Sequence, residues 1–136
     1  MTVVDSAAEM AFSDGKVEAV VPVSDLAKAR EFYEGTLGLS GGKEEDDGGV
    51  TYQAGGGGGI HIYPSPDNAG KSGATLAAWL FDDLERVVDE LIAKGLSFEQ
   101  YGDPINTDEK GIATLGDERA AWFTDPDGNI IAIADR

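Results

Sequence analysis

The sequence predicts an α+β fold made of two tandem modules, each ordered as strand, helix and three strands. The first observation is a repeated alternation, since each half opens with a strand pattern, continues into a helical pattern and ends in short strands. The second is that 23–26 (VSDL) and 81–84 (FDDL) occupy the same place in the two halves. Because neither half can bury its own sheet alone, we expect the two modules to pair and form a cupped mixed sheet with helices outside.

The first module is predicted over residues 16–64, after a flexible N-terminal tail over residues 1–15. Residues 16–23 alternate, with valines on one face and Glu18 on the other, which is typical of a strand. The valine face predicts contact with a helix. Glu18 is therefore expected on the opposite, inward face of the sheet.

A helix and a hairpin complete this module. Apolar residues recur at helical spacing over 26–37, and Ser24 or Asp25 is positioned to cap the helix. Strands are predicted over 50–54 and 60–64, and five consecutive glycines join them. A phosphate-binding loop is disfavoured, because the glycines open no helix. We interpret the run as a flexible hairpin loop.

The second module is predicted over residues 74–136, after a turn-rich linker over residues 65–73. Its first strand is expected over 74–81, and a helix capped by an aspartate follows. Further strands are predicted over 96–101 and 112–115. The module then ends in a hairpin.

The closing hairpin is predicted from two apolar runs that flank the turn residues 125–128 (DPDG). We expect Thr124 to lie opposite Asn129. Side chains alternate across a strand, so this register assigns every residue of the hairpin to a face. The residues expected on the inward face are Ala121, Phe123, Ile130 and Ala132, and those expected toward the helices are Trp122, Ile131 and Ile133.

Composition limits the function. The chain has 136 residues, no cysteine and a net charge of -16, from 26 acidic and 10 basic residues. This charge argues against nucleic acid and anionic membranes as partners, and no apolar run approaches bilayer length. We therefore predict a cytoplasmic protein. The acidity has two interpretations, attraction of a cationic ligand or a solvated surface that maintains solubility.

The order of elements and two segments resemble a known family. The segments are 23–39 (VSDLAKAREFYEGTLGL) and 122–129 (WFTDPDGN). Together with the duplicated βαβββ order, they resemble the vicinal oxygen chelate superfamily, which includes glyoxalases, bleomycin-resistance proteins and extradiol dioxygenases. The resemblance implies a concave sheet that holds the functional site. It does not choose among the functions of the family.

The resemblance also implies four inward positions where metal-dependent members place ligands. In this sequence they are occupied by Glu18, His61, Leu76 and Ala132. Glu18 and His61 are acceptable ligands, whereas leucine and alanine cannot ligate. A catalytic centre generally keeps three protein ligands, so we expect no metal, and a divalent ion is the alternative.

Glu18 and His61 are the candidate catalytic residues. A carboxylate beside the only histidine of the chain is suited to proton transfer, with Glu18 and His61 as acid and base. The alternative is that both are satisfied polar groups or orient a ligand. The residues expected to bind a ligand are Thr51, Gln53, Tyr63, Leu76, Phe123 and Ala132.

The sequence and the resemblance predict three alternative functions. The first is a metal-free, dimeric binding protein of the bleomycin-resistance kind, which holds a small molecule in the concave cavity, and the acidic balance would assist capture of a cationic one. The second is a glyoxalase-like lyase or isomerase that uses Glu18 and His61. The third is a structural or regulatory partner whose apolar sheet face is an interface.

Overall fold

The computed structural model describes residues 11–135. The elements of the first module are β1 (Glu18–Val23), α1 (Leu26–Arg30), β2 (Lys43–Glu44), β3 (Val50–Gln53) and β4 (Gly59–Pro64). Helix α1 begins after Asp25, whose side chain accepts a hydrogen bond from the N–H of Lys28. It continues directly into a π-helical segment (Glu31–Thr36). Short 3-10 turns occupy Phe12–Asp14 and Gly55–Gly57, so the glycine run forms a compact turn between β3 and β4.

The elements of the second module are β5 (Thr75–Leu80), α2 (Leu84–Ala93), β6 (Ala113–Leu115), β7 (Glu118–Thr124) and β8 (Ile130–Asp135). Asp83 caps α2 by accepting a hydrogen bond from the N–H of Arg86. The strand predicted over 96–101 is wrong, because this segment lies outside both sheets. Phe98 anchors it in the core, and the N–H of Glu99 donates to the carbonyl of Trp122.

The two sheets have the same topology. Their strand orders are β1-β4-β3-β2 and β5-β8-β7-β6, in which β1 and β5 each pair in parallel with the last strand of their module. The remaining neighbours are antiparallel. This confirms the α+β fold and the duplicated βαβββ order. The module boundaries at residues 15, 64 and 73 stay a prediction, and residues 1–10 and Arg136 lie outside the described residues.

Each module has its own core on the helix side of its sheet. The first core contains Val21, Val23, Ala29, Tyr33, Val50, Tyr52, Ile60 and Ile62. The second contains Leu84, Val88, Leu91, Phe98, Ile112, Ala121, Phe123, Ile131 and Ile133. Phe32, Leu37 and Trp79 pack against both cores and join the modules. We call the opposite face of each sheet, turned away from the helices, the inner face.

The closing hairpin has a different register from the predicted one. The N–H of Asp125 donates to the carbonyl of Asn129 at 3.0 Å, so the turn spans 125–129. Thr124 is therefore opposite Ile130 rather than Asn129. Because side chains alternate, this shift of one residue moves each side chain of β7 to the face opposite to the predicted one.

The same turn connects the two modules through Asn129, which is fully buried. Its Nδ2 donates to the carbonyl of Pro22 at 2.8 Å and to Asp125 Oδ2 at 2.9 Å, and its Oδ1 accepts from the N–H of Gly70 at 3.0 Å. The hydroxyl of Tyr33 also donates to Asp125 Oδ2, at 2.8 Å. Burial and then the charge of Asp125 raise the pKa of Tyr33. We call this group the turn latch.

No helix within residues 11–135 is both long enough and apolar enough to cross a membrane.

Candidate functional site

The inner face of the first sheet collects the polar residues predicted from the sequence. In the register of β1, β3 and β4, Val20 and Thr51 both lie opposite His61, and Glu18 lies opposite Gly59. Residues opposite one another in a sheet share a face. Glu18, Thr51 and His61 are therefore on one face, as the alternation in the sequence predicts.

His61 is held by two side chains. Its Nδ1 is 2.8 Å from Thr51 Oγ1, and its Nε2 is 2.6 Å from Asp47 Oδ2. The Thr51 hydroxyl also donates to Glu45 Oε2 at 2.8 Å. A hydroxyl has one proton, so when Thr51 donates to Glu45 it can only accept from His61. Thr51 therefore links the His61 ring to the Glu45 carboxylate, and Asp47 contacts the ring on its other side.

The contact with His61 changes the acidity of the Asp47 carboxyl group. The hydrogen bond with His61, followed by the N–H of Gly49, lowers the pKa of Asp47 below its ordinary value. Gly49 has no room for a side chain, because an added Cβ would lie 2.4 Å from the Ile62 carbonyl oxygen and 3.0 Å from His61 Cε1. The loop that presents Asp47 therefore requires glycine at position 49.

Sequence reasoning missed these partners of His61. Glu45 and Asp47 belong to an acidic run in a polar loop, and such a run is usually solvated. The available signal was the sequence Asp47-Gly48-Gly49, which permits a tight turn back onto the sheet. Glu18 is exposed and is not a hydrogen-bond partner of His61 among residues 11–135. The proposed acid and base roles of Glu18 and His61 stay a prediction.

A cleft of about 800 Å³ runs between the two sheets, along β1 and β5. These strands lie side by side but belong to separate sheets. Val17, Glu18, Leu76, Ala78, Leu80 and Phe81 are among its lining residues. Part of the glycine run also lines the cleft, and because glycine has no side chain this part of the wall does not fill the space. Glu18 and Leu76, both predicted as inward residues, therefore meet here.

The other predicted ligand-binding residues are spread over the molecule. Thr51 is buried and bonded to His61. The Tyr63 ring is nearly parallel to that of His61, with centroids 6.0 Å apart. Gln53 is exposed at the end of β3, and Ala132 is buried on the inner face opposite Trp122.

The inward placement predicted for Phe123 is wrong. In the observed register Phe123 lies opposite Ile131 in the second core, and Trp122 lies opposite Ala132 on the inner face. The cause is the additional residue in the turn before β8. Trp122, predicted as a core residue, instead packs edge-on against Tyr101, with ring centroids 5.5 Å apart.

The residues at the four implied positions do not fit a catalytic metal centre. Of the four positions that the resemblance implies, only Glu18 and His61 have donor atoms, and both nitrogens of His61 already have hydrogen-bond partners. Within residues 11–135, no group of three or more histidine, aspartate or glutamate side chains is arranged to hold a metal ion. A mononuclear centre usually needs three such ligands.

The duplicated topology and the cleft between the sheets define a class of small proteins with a paired βαβββ fold. The family model described as the Glyoxalase/Bleomycin resistance protein/Dioxygenase superfamily matches residues 16–133. The chain therefore belongs to this superfamily. No curated protein sequence matches the chain significantly.

Solved structures share the fold at low sequence identity. A putative glyoxalase family protein from Bacillus anthracis is 22% identical with a TM-score of 0.68, over 90% of this chain and 94% of its own. TnmS3, an antibiotic binding protein from a Streptomyces species, is 22% identical with a TM-score of 0.64, over 93% of this chain and 98% of its own. A glyoxalase/bleomycin resistance protein/dioxygenase from Alicyclobacillus acidocaldarius is 15% identical with a TM-score of 0.68, over 93% of this chain and 94% of its own. These similarities establish the fold alone.

Proposed function

We propose that this chain binds an apolar, cationic small molecule in the cleft between its two sheets, without a metal ion. The observation that carries the proposal is the composition of the cleft lining. Both sheets contribute apolar side chains, and among the described residues Glu18 is the only charged member of the lining. An apolar cleft with one carboxylate suits a ligand with rings and one positive charge.

The surroundings of Glu18 support this choice of ligand. Its carboxylate is exposed at the cleft and has no basic side chain within 4 Å among residues 11–135. Val17 and Leu80, which both line the cleft, are 79% and 55% exposed. A ligand would bury this apolar surface while its charge pairs with Glu18. The similarity in fold to an antibiotic binding protein is consistent with such a role.

A titration with paired variants tests the role of Glu18. A panel of cationic aromatic drugs and cationic glycopeptides is screened by thermal shift, and binders are measured by calorimetry. We expect Glu18→Gln to weaken binding by about 1 kcal/mol, or about fivefold, as for a partly exposed ion pair. Glu118→Gln is the matched control, because it removes the same charge from an exposed site outside the cleft lining.

Equal losses in the two variants would show that only net charge matters and would contradict the role of Glu18. Failure of the whole panel to bind would contradict the cationic ligand. Ala78→Phe checks the location, because Ala78 is exposed and lines the cleft. We expect this variant to abolish binding without unfolding the protein.

A glyoxalase-like lyase or isomerase is the second candidate. It is favoured by the contacts of His61, since an imidazole oriented by a carboxylate is a common arrangement for a general base. Against it, both imidazole nitrogens are engaged, so Asp47 or Thr51 would have to release one for proton transfer.

Two measurements separate the candidates. Metal analysis of protein purified without chelator is expected to find no stoichiometric metal. Stoichiometric zinc, nickel, manganese or iron that is lost in both Glu18→Gln and His61→Ala would favour the enzyme. Turnover of a glyoxalase-type substrate that disappears in His61→Ala would favour it as well.

The homodimer and the cytoplasmic location also stay proposals. Val17, Val20 and Leu80 are exposed apolar side chains in and beside the cleft, and they support a dimer whose second copy closes the cleft over the bound ligand. Light scattering of a concentrated sample tests this assembly. A strict monomer would contradict the dimer and also the interface function.

A further inference from the structure

A second cavity lies on the helix side of the sheets, where the two modules meet. Its volume is about 320 Å³. Its apolar walls include Leu37, Trp79, Phe81, Val87, Phe123 and Ile133. Leu37 comes from the end of the first helical region and Val87 from α2, so both modules contribute to the walls.

This cavity exceeds an ordinary packing defect. Voids in protein interiors rarely exceed the size of a few water molecules, and a dry apolar cavity of about 150 Å³ is already enough to bind benzene. The cavity here is about twice that size and is partly open to solvent, and its walls are mainly aliphatic and aromatic, with Gln53, Glu90 and Lys94 as the polar members. Phe123 and Ile133 are almost fully buried and provide a fixed rear wall.

The charged members of the lining already have partners. Glu90 forms an ion pair with Arg86 at 3.2 Å, and the Lys94 ammonium donates to the Thr36 carbonyl at 3.3 Å. Both residues are exposed, so they lie at the rim. A charged ligand would have to leave water without gaining an unengaged opposite charge inside, which disfavours it.

We propose that this cavity is a second binding site, for an uncharged apolar molecule of one or two rings. It is distinct from the cleft. The two spaces are adjacent and share Ala54, Gly55, Trp79 and Phe81. Only the helix-side cavity is lined by Val87, Leu91 and Ile133, and only the cleft is lined by Glu18, Leu76 and Leu80.

These separate linings allow the two sites to be observed independently. The probe is 2-naphthol, titrated into methyl-labelled protein and followed by NMR. We expect shifts in the methyl signals of Leu91 and Ile133, with smaller effects at Leu76 and Leu80. Shifts confined to Leu76 and Leu80, or none up to the solubility limit, would overturn the proposal.

A variant pair tests the location. Val87→Phe fills the cavity from α2 and should weaken 2-naphthol binding at least tenfold. Ile92→Phe is the matched control, because Ile92 is exposed on the same helix outside the lining, and should change the affinity less than twofold. If Val87→Phe does not fold, Leu39→Phe fills the same cavity from the other module. Unchanged affinity in the folded filling variant would overturn the proposal.

Charge separates this proposal from the cleft function. We expect 2-naphthoate and 2-naphthylmethylammonium to bind the helix-side cavity at least tenfold more weakly than 2-naphthol, and Glu18→Gln to leave 2-naphthol binding unchanged. A charged analogue that shifts Leu91 and Ile133 with equal affinity would overturn the specificity for uncharged molecules. Loss of cationic-drug binding in Glu18→Gln concerns the cleft alone, so either proposal can fail without the other.

Discussion

The turn latch gives the most direct test of how the two modules are joined, and Asn129→Ala is the change that removes its centre. The substitution deletes two donated hydrogen bonds and one accepted hydrogen bond of a fully buried side chain. It leaves the Pro22 carbonyl and the Gly70 N–H without their partner. The changed bonds connect the closing turn, the end of β1 and the linker.

The expected cost follows from the burial of those groups. A buried polar group that loses its partner costs about 1–3 kcal/mol. Pro22 and Gly70 are half-buried, so water can replace part of the loss, and the lower end applies to each. Adding the small cavity, we expect Asn129→Ala to lower the free energy of unfolding by about 3 kcal/mol. This is a large part of the roughly 5–15 kcal/mol typical of a domain.

Urea unfolding followed by tryptophan fluorescence measures this loss. Asn68→Ala is the matched control, because Asn68 is exposed and bonds only locally, to Ser65. We expect it to change stability by less than about 0.5 kcal/mol. Asn129→Asp should cost more than the alanine variant, since it loses both donated bonds and adds a charge beside Asp125. An alanine variant within about 0.5 kcal/mol of the wild type would refute the reasoning.

Three further predictions concern a close contact and two perturbed groups. Gly70→Ala should be strongly destabilising in thermal unfolding, because φ is 69° and an added Cβ would lie 2.0 Å from a backbone oxygen of the turn. Gly73→Ala is its control and should be nearly neutral, because an added Cβ there meets no atom of the described residues within 4 Å. The pKa of Asp47 is lowered by its contact with His61, so the stability that the Asp47 carboxylate contributes is present above about pH 4 and is lost as the pH falls further. The urea midpoints of the wild type and of Asp47→Asn should therefore converge in acid, and a difference that stays constant with pH would contradict this. Burial and a hydrogen bond to a carboxylate raise the pKa of Tyr52 to about 12, so the stabilising effect of Tyr52 is complete below about pH 10 and declines above that pH. In an alkaline absorbance titration, Tyr52→Phe should lose a component near pH 12, and an unchanged titration would contradict this assignment.

Local patterns predicted most of the fold. Apolar alternation over 16–23 was sufficient to predict β1, and helical spacing from Leu26 was sufficient to predict α1, because both periods reflect burial of one face of the element. Recurrence of the pattern then predicted the second module. The strand over 96–101 failed because this segment reaches β7 through the Glu99 N–H and is otherwise bonded to the loop that follows it, as at Tyr101 and Thr107, and alternation does not distinguish such a segment from a paired strand.

The site was harder to predict because it depends on loop geometry. A turn of five residues rather than four exchanged the faces of Trp122 and Phe123, and composition does not distinguish the two turn lengths well. The partners of His61 come from an acidic loop whose fold depends on contacts with β3 and β4. The face occupied by Glu18 was predicted correctly, because it lies within a regular strand.

The position of the turn latch has a mechanical consequence for what the protein can accept. The latch fixes the end of β1 near Pro22, whereas the cleft opens at the other end, near Glu18. Among residues 11–135, β1 and β5 have no ladder of hydrogen bonds to each other, so a wider separation of these strands at the open end would break no hydrogen bond within either sheet. A range of ligand widths can thus be accommodated at little cost in backbone hydrogen bonding.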